Sequence, residues 1–237
     1  MKLEILFPEV ANLYGDLQNP AYLRRSCGEI EIVETSLREK PRFLTEDIAL
    51  VYMGSITEEG QRLACEALRP YKDAIRASID AGQLFLITGN ALDVFGEDIY
   101  ITDDKTAVPM LGLYPLHAKY HMMNRCNALY LGKFGETDIV GFKSLFGLLD
   151  GDCPPLFTTV RGYGRHRGTA EEGVRDHRFL ATHVTGPLLI LNPPFAKYIL
   201  REMGVAEPQL AFEREAEELY RQRVREFSDP ATGVEYH

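Results

Sequence analysis

Short apolar runs alternate with amphipathic segments over the first third of the chain. The apolar runs predict β-strands at Leu3–Phe7, Ile30–Glu34, Asp47–Met53 and in the stretch that ends at Thr88. Helical periodicity predicts a helix over Asn19–Glu29, capped by Asn19. It also predicts one kinked helix or two helices over Thr57–Ala81, because Pro70 interrupts the pattern. This alternation predicts an α/β fold, a mostly parallel sheet flanked by helices, with ligands at the carboxyl ends of the strands.

The pattern changes in the second half of the chain. Aromatic and apolar residues recur among glycines from Tyr100 to Phe146 without helical spacing, which predicts added short, partly antiparallel strands. Arg161–Asp176 is rich in Gly, Arg and Glu and predicts a polar loop. A strand is predicted from Phe179 through His183 and Thr185 to a Gly-Pro turn, followed by a helix over Pro193–Met203.

A strongly charged helix is predicted at Gln209–Phe227, so we divide the chain into one domain, residues 1–206, and a charged helical extension, residues 207–237. One apolar stripe runs along this helix, formed by Leu210, Phe212, Ala216, Leu219, Tyr220 and Val224. Two interpretations stay open. The helix docks on the domain surface, or it binds a partner subunit.

Composition argues against several classes of function. The 237 residues carry a formal net charge of −9, which argues against a nucleic-acid or membrane-surface binder. The four cysteines are far apart, without a CxxC pair, so neither a metal knuckle nor a disulfide framework is predicted. The apolar run at the N-terminus is too short for a signal peptide, and no run approaches the roughly 20 residues of a membrane span. We therefore expect a cytoplasmic protein without membrane insertion or cofactor.

The stretch from Gln83 to Gly96 predicts a buried strand, a sharp glycine turn and a helix. This layout holds a nucleophile at the end of a sheet, beside backbone N–H groups at a helix N-terminus. Thr88 stands where an enzyme of this design needs a cysteine. The sequence therefore predicts the backbone arrangement of an enzyme that carries out acyl chemistry on an amide, but it lacks the cysteine thiol.

Several collinear motifs resemble those of one protein family. They are Leu6–Glu9 with Asn12–Asp16 and Asn19, Gly141-Phe142 with Gly147, Gly162–Gly164 with Glu172-Gly173, and Thr182 with Gly186–Leu189 and Asn192-Pro193. The chain resembles the class I glutamine amidotransferases of the cobyric acid synthase type, from about Leu6 to Met203. The closer likeness is to glutaminase subunits that pair with a Mur-ligase-like protein to amidate the cell-wall precursor lipid II. The resemblance implies a flavodoxin-like α/β domain.

The sequence differs from the family at the positions that carry out the family's chemistry. Thr88 takes the place of the cysteine, or Gly89 does when the alignment is anchored on Gly96, and Thr185 takes the place of the general-base histidine. The family's glycine-rich turn after the third strand is reduced to Met53-Gly54-Ser55, and its central Asn-His is Ser144-Leu145. The resemblance further implies that Gly54, Gly89 and Asn90 line the glutamine site.

Glutamine hydrolysis by this route needs a thiolate, a histidine and oxyanion donors. A threonine hydroxyl is a poor nucleophile without a dedicated base, and Thr88 lacks the terminal amine that threonine nucleophiles use. His183 lies two residues before Thr185, on the same face of a strand but displaced by about 6–7 Å. We interpret it as a structural histidine. A hydrolase that pairs Thr88 with His183 would require the two side chains within hydrogen-bond distance.

The leading hypothesis is a protein with this fold that has lost glutaminase activity and binds a partner protein or a small ligand. The alternative is an active subunit that supplies ammonia to a Mur-ligase-like or cobyrinate-type synthetase and completes its site with a partner's residues. Leu92, Leu145 and Phe146 are larger or more apolar than the family's residues. If they fill the pocket, we expect no glutamine binding.

Two weaker groups complete the candidate chemistry. Arg161, Arg165 and Arg167 with His166 form a cationic cluster that would suit a phosphate or carboxylate, or that forms a solvated loop balanced by neighbouring glutamates. His117 and His121 have no obvious third ligand, so no metal site is predicted.

Overall fold

The computed structural model describes residues 1–236. A six-stranded sheet forms its centre, in the order β13-β14-β4-β3-β1-β2, and every pairing in it is parallel except that of β13 with β14. The bounds are β1 Lys2–Leu6, β2 Glu31–Thr35, β3 Leu50–Met53, β4 Phe85–Thr88, β13 Val174–Asp176 and β14 Phe179–Thr182. The predicted mostly parallel α/β sheet is confirmed.

Helices cover both faces of this sheet. The α-helices of the described chain are α1 Gln18–Ser26, α2 Glu58–Leu68, α3 Lys72–Asp80, α4 Leu188–Leu191, α5 Pro193–Glu202 and α6 Glu213–Ser228. Alternate residues of β3 enter opposite cores: Val51 packs in the cluster that contains Ile75 of α3, and Leu50 packs with Leu23 of α1. Burial on both faces explains why β3 reads as a continuous apolar run.

Two smaller sheets carry the second half of the chain. One has the order β10-β7-β5-β6, and the other the order β12-β11-β8-β15 with β9 paired to β8. Their bounds are β5 Asp98–Ile101, β6 Thr106–Pro109, β7 Leu116–Tyr120, β8 Cys126–Phe134, β9 Thr137–Leu145, β10 Gly147–Gly151, β11 Phe157–Arg161, β12 Glu171–Glu172 and β15 Glu235–Tyr236. All these pairings are antiparallel except β5 with β7, as the prediction of partly antiparallel strands requires.

The structure corrects several local predictions. Asn19 does not cap α1, which begins at Gln18. Its buried amide instead accepts a hydrogen bond from the Leu189 amide and donates one to the Tyr52 hydroxyl. The predicted polar loop at residues 161–176 contains β12 and β13, because Glu172 and Val174 pair with neighbouring strands. The strand predicted through His183 ends at Thr182.

The helix predicted after Thr88 is instead a 3-10 helix, Gly89–Phe95. The carbonyl of Val94 accepts a hydrogen bond from the Leu111 amide, and the carbonyl of Phe95 accepts bonds from Leu113 and Tyr114. These carbonyls therefore pair with the next segment of the chain rather than with a further helical turn.

Helix α6 packs on β8 and β9. Phe227 is buried with Leu129 and Val140, and the Tyr220 hydroxyl donates to the Asp138 carbonyl at 2.8 Å. The residues of the predicted apolar stripe do not all pack on the domain, because the Phe212 and Leu219 side chains are 61% and 57% exposed. No helix in the described residues is long and apolar enough to cross a membrane.

Candidate functional site

Thr88 ends β4 at a sharp backbone turn. Gly89 follows with φ +64°, and a Cβ added there would lie 2.0 Å from the Ser55 hydroxyl oxygen. Only glycine adopts this conformation readily and leaves that space. The strand and elbow predicted from the sequence are therefore present, and the loop after β3 lies directly against them.

The Thr88 hydroxyl belongs to a closed, buried network. It donates to Asp16 Oδ2 at 2.8 Å and lies 2.9 Å from the Tyr52 hydroxyl. Asp16 Oδ2 also accepts hydrogen bonds from the Ser55 amide at 2.8 Å and the Ser55 hydroxyl at 2.6 Å. All four residues have 0% exposure. The Thr88 oxygen is thus paired on the inside of the protein and has no face toward solvent.

Burial governs the electrostatics of this network. It raises the pKa of the Asp16 carboxyl, although the hydrogen bonds from Ser55 and Thr88 act to lower it. It also raises the pKa of the Tyr52 phenol, and the adjacent Asp16 adds to that effect. The sequence placed Asp16 in the Asn12–Asp16 motif but did not pair it with Thr88.

The three residues expected to line a glutamine site hold the turn after β3 in place. A Cβ on Gly54 would lie 2.9 Å from the Ala11 carbonyl oxygen, so this turn packs on the loop after β1. The Asn90 side chain accepts a hydrogen bond from the Ile56 amide at 3.0 Å and donates to the Ile56 carbonyl at 2.8 Å. Gly54, Gly89 and Asn90 therefore form backbone contacts between neighbouring loops.

Thr185 lies in a separate position. Its hydroxyl donates to the Phe142 carbonyl at 3.2 Å, and the two backbones exchange hydrogen bonds of 3.1 and 2.8 Å. The residue is 4% exposed. Within residues 1–236 no hydrogen bond connects Thr88 to Thr185.

His183 takes part in a second buried polar network. Its Nε2 lies 2.6 Å from Asp93 Oδ1, and Tyr120 donates to Asp93 Oδ2 at 2.5 Å. Gln61 donates to the Tyr120 hydroxyl at 2.7 Å. No hydrogen bond joins His183 to Thr88 in the described chain, so the geometry required for a Thr88–His183 hydrolase is missing. The sequence did not predict a role for Asp93, because no spacing pattern marks a carboxylate at this position after the elbow.

A buried ion pair adjoins this network. Lys143 pairs with Glu172 and donates to the Gly164 carbonyl at 2.7 Å, and both charged side chains have 0% exposure. Glu172 Oε1 also accepts from the Thr182 hydroxyl and the His183 amide, each at 2.8 Å. Burial acts to raise the pKa of Glu172, but the Lys143 cation prevails and holds that pKa below its ordinary value.

The three arginines of the predicted cationic cluster have different surroundings. Arg161 donates to three backbone carbonyls of residues 227–232 at 2.5–2.7 Å. Arg165 is 2% exposed and bonds the Cys153 and Gly173 carbonyls and Glu171. Arg167 pairs with Glu235 at 3.0 Å. Each arginine thus has its own protein partners, and an anion site formed by all three stays a prediction.

His117 and His121 also bind protein groups. Nδ1 of His117 lies 3.0 Å from Asp98 Oδ2, and Nδ1 of His121 lies 2.9 Å from the Thr102 hydroxyl. Across residues 1–236, no group of three or more His, Cys, Asp or Glu side chains is placed to hold a metal ion.

The fold defines the class of protein: an α/β protein with a glutamine amidotransferase-like fold. Two solved structures show this likeness. The crystal structure of a glutamine amidotransferase is 14% identical, with a TM-score of 0.52, covering 85% of this chain and 99% of that chain. The structure of PurLQS from Thermotoga maritima is 13% identical, with a TM-score of 0.55, covering 85% and 96%. At such identities the likeness concerns the fold alone. No protein-family model and no curated protein matches this chain.

Proposed function

We propose that this protein has the glutamine amidotransferase-like fold without glutaminase activity and acts as a binding subunit. One observation carries the proposal. The residue at the nucleophile position, Thr88, is fully buried, and its hydroxyl is held by Asp16 and Tyr52. A nucleophile must approach a substrate carbonyl to about 3 Å. A hydroxyl enclosed by protein on all sides offers no such approach.

The groups around Thr88 do not supply a substitute mechanism. Asp16 is the one carboxylate that bonds the Thr88 hydroxyl, and a carboxylate so placed is a candidate base. Its Oδ2 already accepts two hydrogen bonds from Ser55, however, and it is as inaccessible as the hydroxyl itself. The Thr185 hydroxyl is engaged with a backbone carbonyl. Asp16 Oδ1 has no hydrogen-bond partner among the described residues, but this carboxyl, like the Thr185 hydroxyl, is buried and closed to a substrate in solution.

For the binding role, the proposed partner is a protein, of the Mur-ligase-like or another synthetase type. This part of the proposal rests on the resemblance of the motifs from Leu6 to Met203 to partnered glutaminase subunits. The closed turn after β3 argues against glutamine itself as the ligand, because Ser55 packs directly on Gly89 and Gly54 packs on the Ala11 carbonyl.

The test is NMR spectroscopy of glutamine labelled with ¹⁵N at the side-chain amide, mixed with the purified protein. We expect neither loss of the amide signal nor line broadening, while an active glutaminase in the same buffer consumes the substrate. Ammonia release that Thr88→Ala abolishes, and that Thr45→Ala at an exposed position leaves intact, would overturn the proposal. Repeating the assay with a co-purified synthetase tests the alternative of a partner-activated glutaminase. Turnover only in that complex would establish the alternative.

A further inference from the structure

A cavity of about 460 Å³ lies on the second half of the chain, and Thr88 is not among the residues that line it. Strands β7 and β10 contribute Lys119 and Leu148, which pair across the two strands in register. The loop after β11 contributes His166 and Arg167, and Cys126 and Phe146 complete the apolar side. The volume falls within the roughly 300–1,000 Å³ of small-molecule sites in proteins.

Two cationic side chains line this cavity. Lys119 and Arg167 are cationic, and Asp150 is the one carboxylate that lines the space, in a chain whose net charge is −9. Arg167 pairs with Glu235 at 3.0 Å, whereas no carboxylate among residues 1–236 forms an ion pair with Lys119. An ammonium group without an ion-pair partner in a concave site attracts anions.

The His166 ring adds a directed donor. Its Nδ1 accepts a hydrogen bond from the Gly168 amide at 3.1 Å. A neutral imidazole that accepts at Nδ1 carries its proton on Nε2, so that nitrogen is a donor. Together with the ammonium and guanidinium groups, it gives the cavity three kinds of N–H donor, and phosphate oxygens are strong acceptors of such bonds.

The wall that carries these donors is held rigidly from behind. The Arg165 side chain is 2% exposed and bonds the Cys153 and Gly173 carbonyls at 2.7 and 3.1 Å. Its backbone carbonyl accepts from the Leu149 amide at 2.9 Å, which joins the loop to β10. The buried Arg165 thus fixes His166 and Arg167 against the sheet. Preorganised donors lose little conformational entropy when a ligand binds.

The cavity also has an apolar and aromatic wall. Phe146, Leu148 and Leu149 line it, and the guanidinium carbon of Arg125 lies 4.1 Å from the centre of the Phe146 ring. A ligand that fits both walls has an anionic end and an apolar or aromatic end.

We infer that this cavity binds a small organic phosphate, a phosphomonoester that carries a planar ring and has the size of a nucleoside monophosphate. Lys119, His166 and Arg167 hold the phosphate, and Phe146 and Leu148 contact the ring. The inference does not depend on the loss of glutaminase activity, because Thr88 does not line the cavity.

The experiment is isothermal titration calorimetry of the full-length protein with AMP, ribose 5-phosphate, adenosine and inorganic phosphate. AMP is expected to bind most tightly, with weaker affinity at higher salt. Lys119→Gln should weaken AMP binding about tenfold, since one charged hydrogen bond is lost. Lys40→Gln makes the same charge change at an exposed position outside the cavity and should change affinity less than about twofold.

Each contrary result overturns the inference. No heat with any anion at millimolar concentration refutes an anion site. Equal affinity for AMP and adenosine refutes phosphate recognition, and equal affinity for AMP and ribose 5-phosphate refutes ring recognition. AMP binding that Lys119→Gln and Lys40→Gln weaken equally places the ligand elsewhere. Backbone amide NMR shifts confined to residues 119, 147 and 166–167 would support the assignment, and shifts elsewhere would contradict it.

Discussion

Replacing Thr88 by valine tests whether its hydroxyl is structural. The change keeps the shape of the side chain but removes the donor to Asp16 Oδ2 at 2.8 Å and the contact with the Tyr52 hydroxyl at 2.9 Å. A hydrogen bond to a charged group contributes about 1.5–3 kcal/mol, and Asp16 keeps its two bonds from Ser55. We therefore expect a loss of about 2 kcal/mol at neutral pH. For a chain of this size that corresponds to a melting temperature lower by about 4–8 °C.

The loss should also depend on pH, and its sign follows from Asp16. Burial raises the folded-state pKa of this carboxyl, so its ionised form costs stability above that pKa, and the cost disappears as the pH falls toward the unfolded-state value. The Thr88 hydroxyl reduces this cost because it acts to lower the pKa. Thr88→Val should therefore destabilise the protein most at neutral pH. The loss should shrink to about 1 kcal/mol or less as the pH falls through the raised pKa of Asp16.

The assay is urea unfolding followed by far-ultraviolet circular dichroism at several pH values, because the chain has no tryptophan. Thr185→Val is the matched control. It removes the same hydroxyl from a nearly buried site, but its acceptor is the neutral Phe142 carbonyl. The control should cost about 0.5–1.5 kcal/mol at every pH. A Thr88→Val protein as stable as the wild type, or one whose loss does not vary with pH, would refute the structural role.

Burial and charge pairing give further measurable expectations at Thr88 and at two other sites. The Thr88→Cys variant should release no ammonia from glutamine. Its thiol should resist alkylation by iodoacetamide until urea unfolds the protein, as peptide mass spectrometry would show. Alkylation at residue 88 in the native state would contradict the burial. Lys143→Met leaves Glu172 buried without its cation and should cost about 3–5 kcal/mol in urea unfolding; Lys143→Met/Glu172→Gln should recover most of it. The pKa of Glu172 is lowered in the folded protein, so the stability that this ion pair contributes is present above the unfolded-state carboxyl pKa. It is lost as the pH falls through the folded-state pKa. The double variant should not show this loss. Arg161→Lys removes hydrogen-bond donors to three carbonyls of residues 227–232. The rate of amide hydrogen exchange in residues 227–232, measured by mass spectrometry, should therefore rise about tenfold. An unchanged rate would argue against this contact.

The parallel sheet was predictable because its signals are local. Strand β3 reads as a continuous apolar run since both of its faces are covered, and Pro70 marks the boundary between α2 and α3. The Gly89 turn was also readable, because a glycine after a buried strand fits a sharp elbow.

The buried polar networks were not predictable, because their partners are far apart in the chain. Asp16 meets Ser55 after 39 residues and Thr88 after 72 residues. Asp93 meets His183 after 90 residues. No periodicity or spacing rule links such positions, so the sequence pairs Asp16 with neither Ser55 nor Thr88, and it pairs His183 with no carboxylate. Their pairing is a consequence of how the sheet brings its strand ends together.

The closed site at Thr88 is fixed by backbone contacts as much as by side chains. A Cβ on Gly54 would lie 2.9 Å from the Ala11 carbonyl, and one on Gly89 would lie 2.0 Å from the Ser55 hydroxyl. The short turn after β3 is therefore pressed onto the elbow, and Asp16 bonds both. A thiol placed at residue 88 would still face Asp16 and Tyr52 inside the protein. Access to glutamine would require a longer turn that lifts Ser55 from Gly89, which in turn would remove two of the hydrogen bonds that hold the Asp16 carboxylate. Opening this site therefore opposes the interactions that stabilise the elbow, so we expect a single substitution at Thr88 to leave it closed.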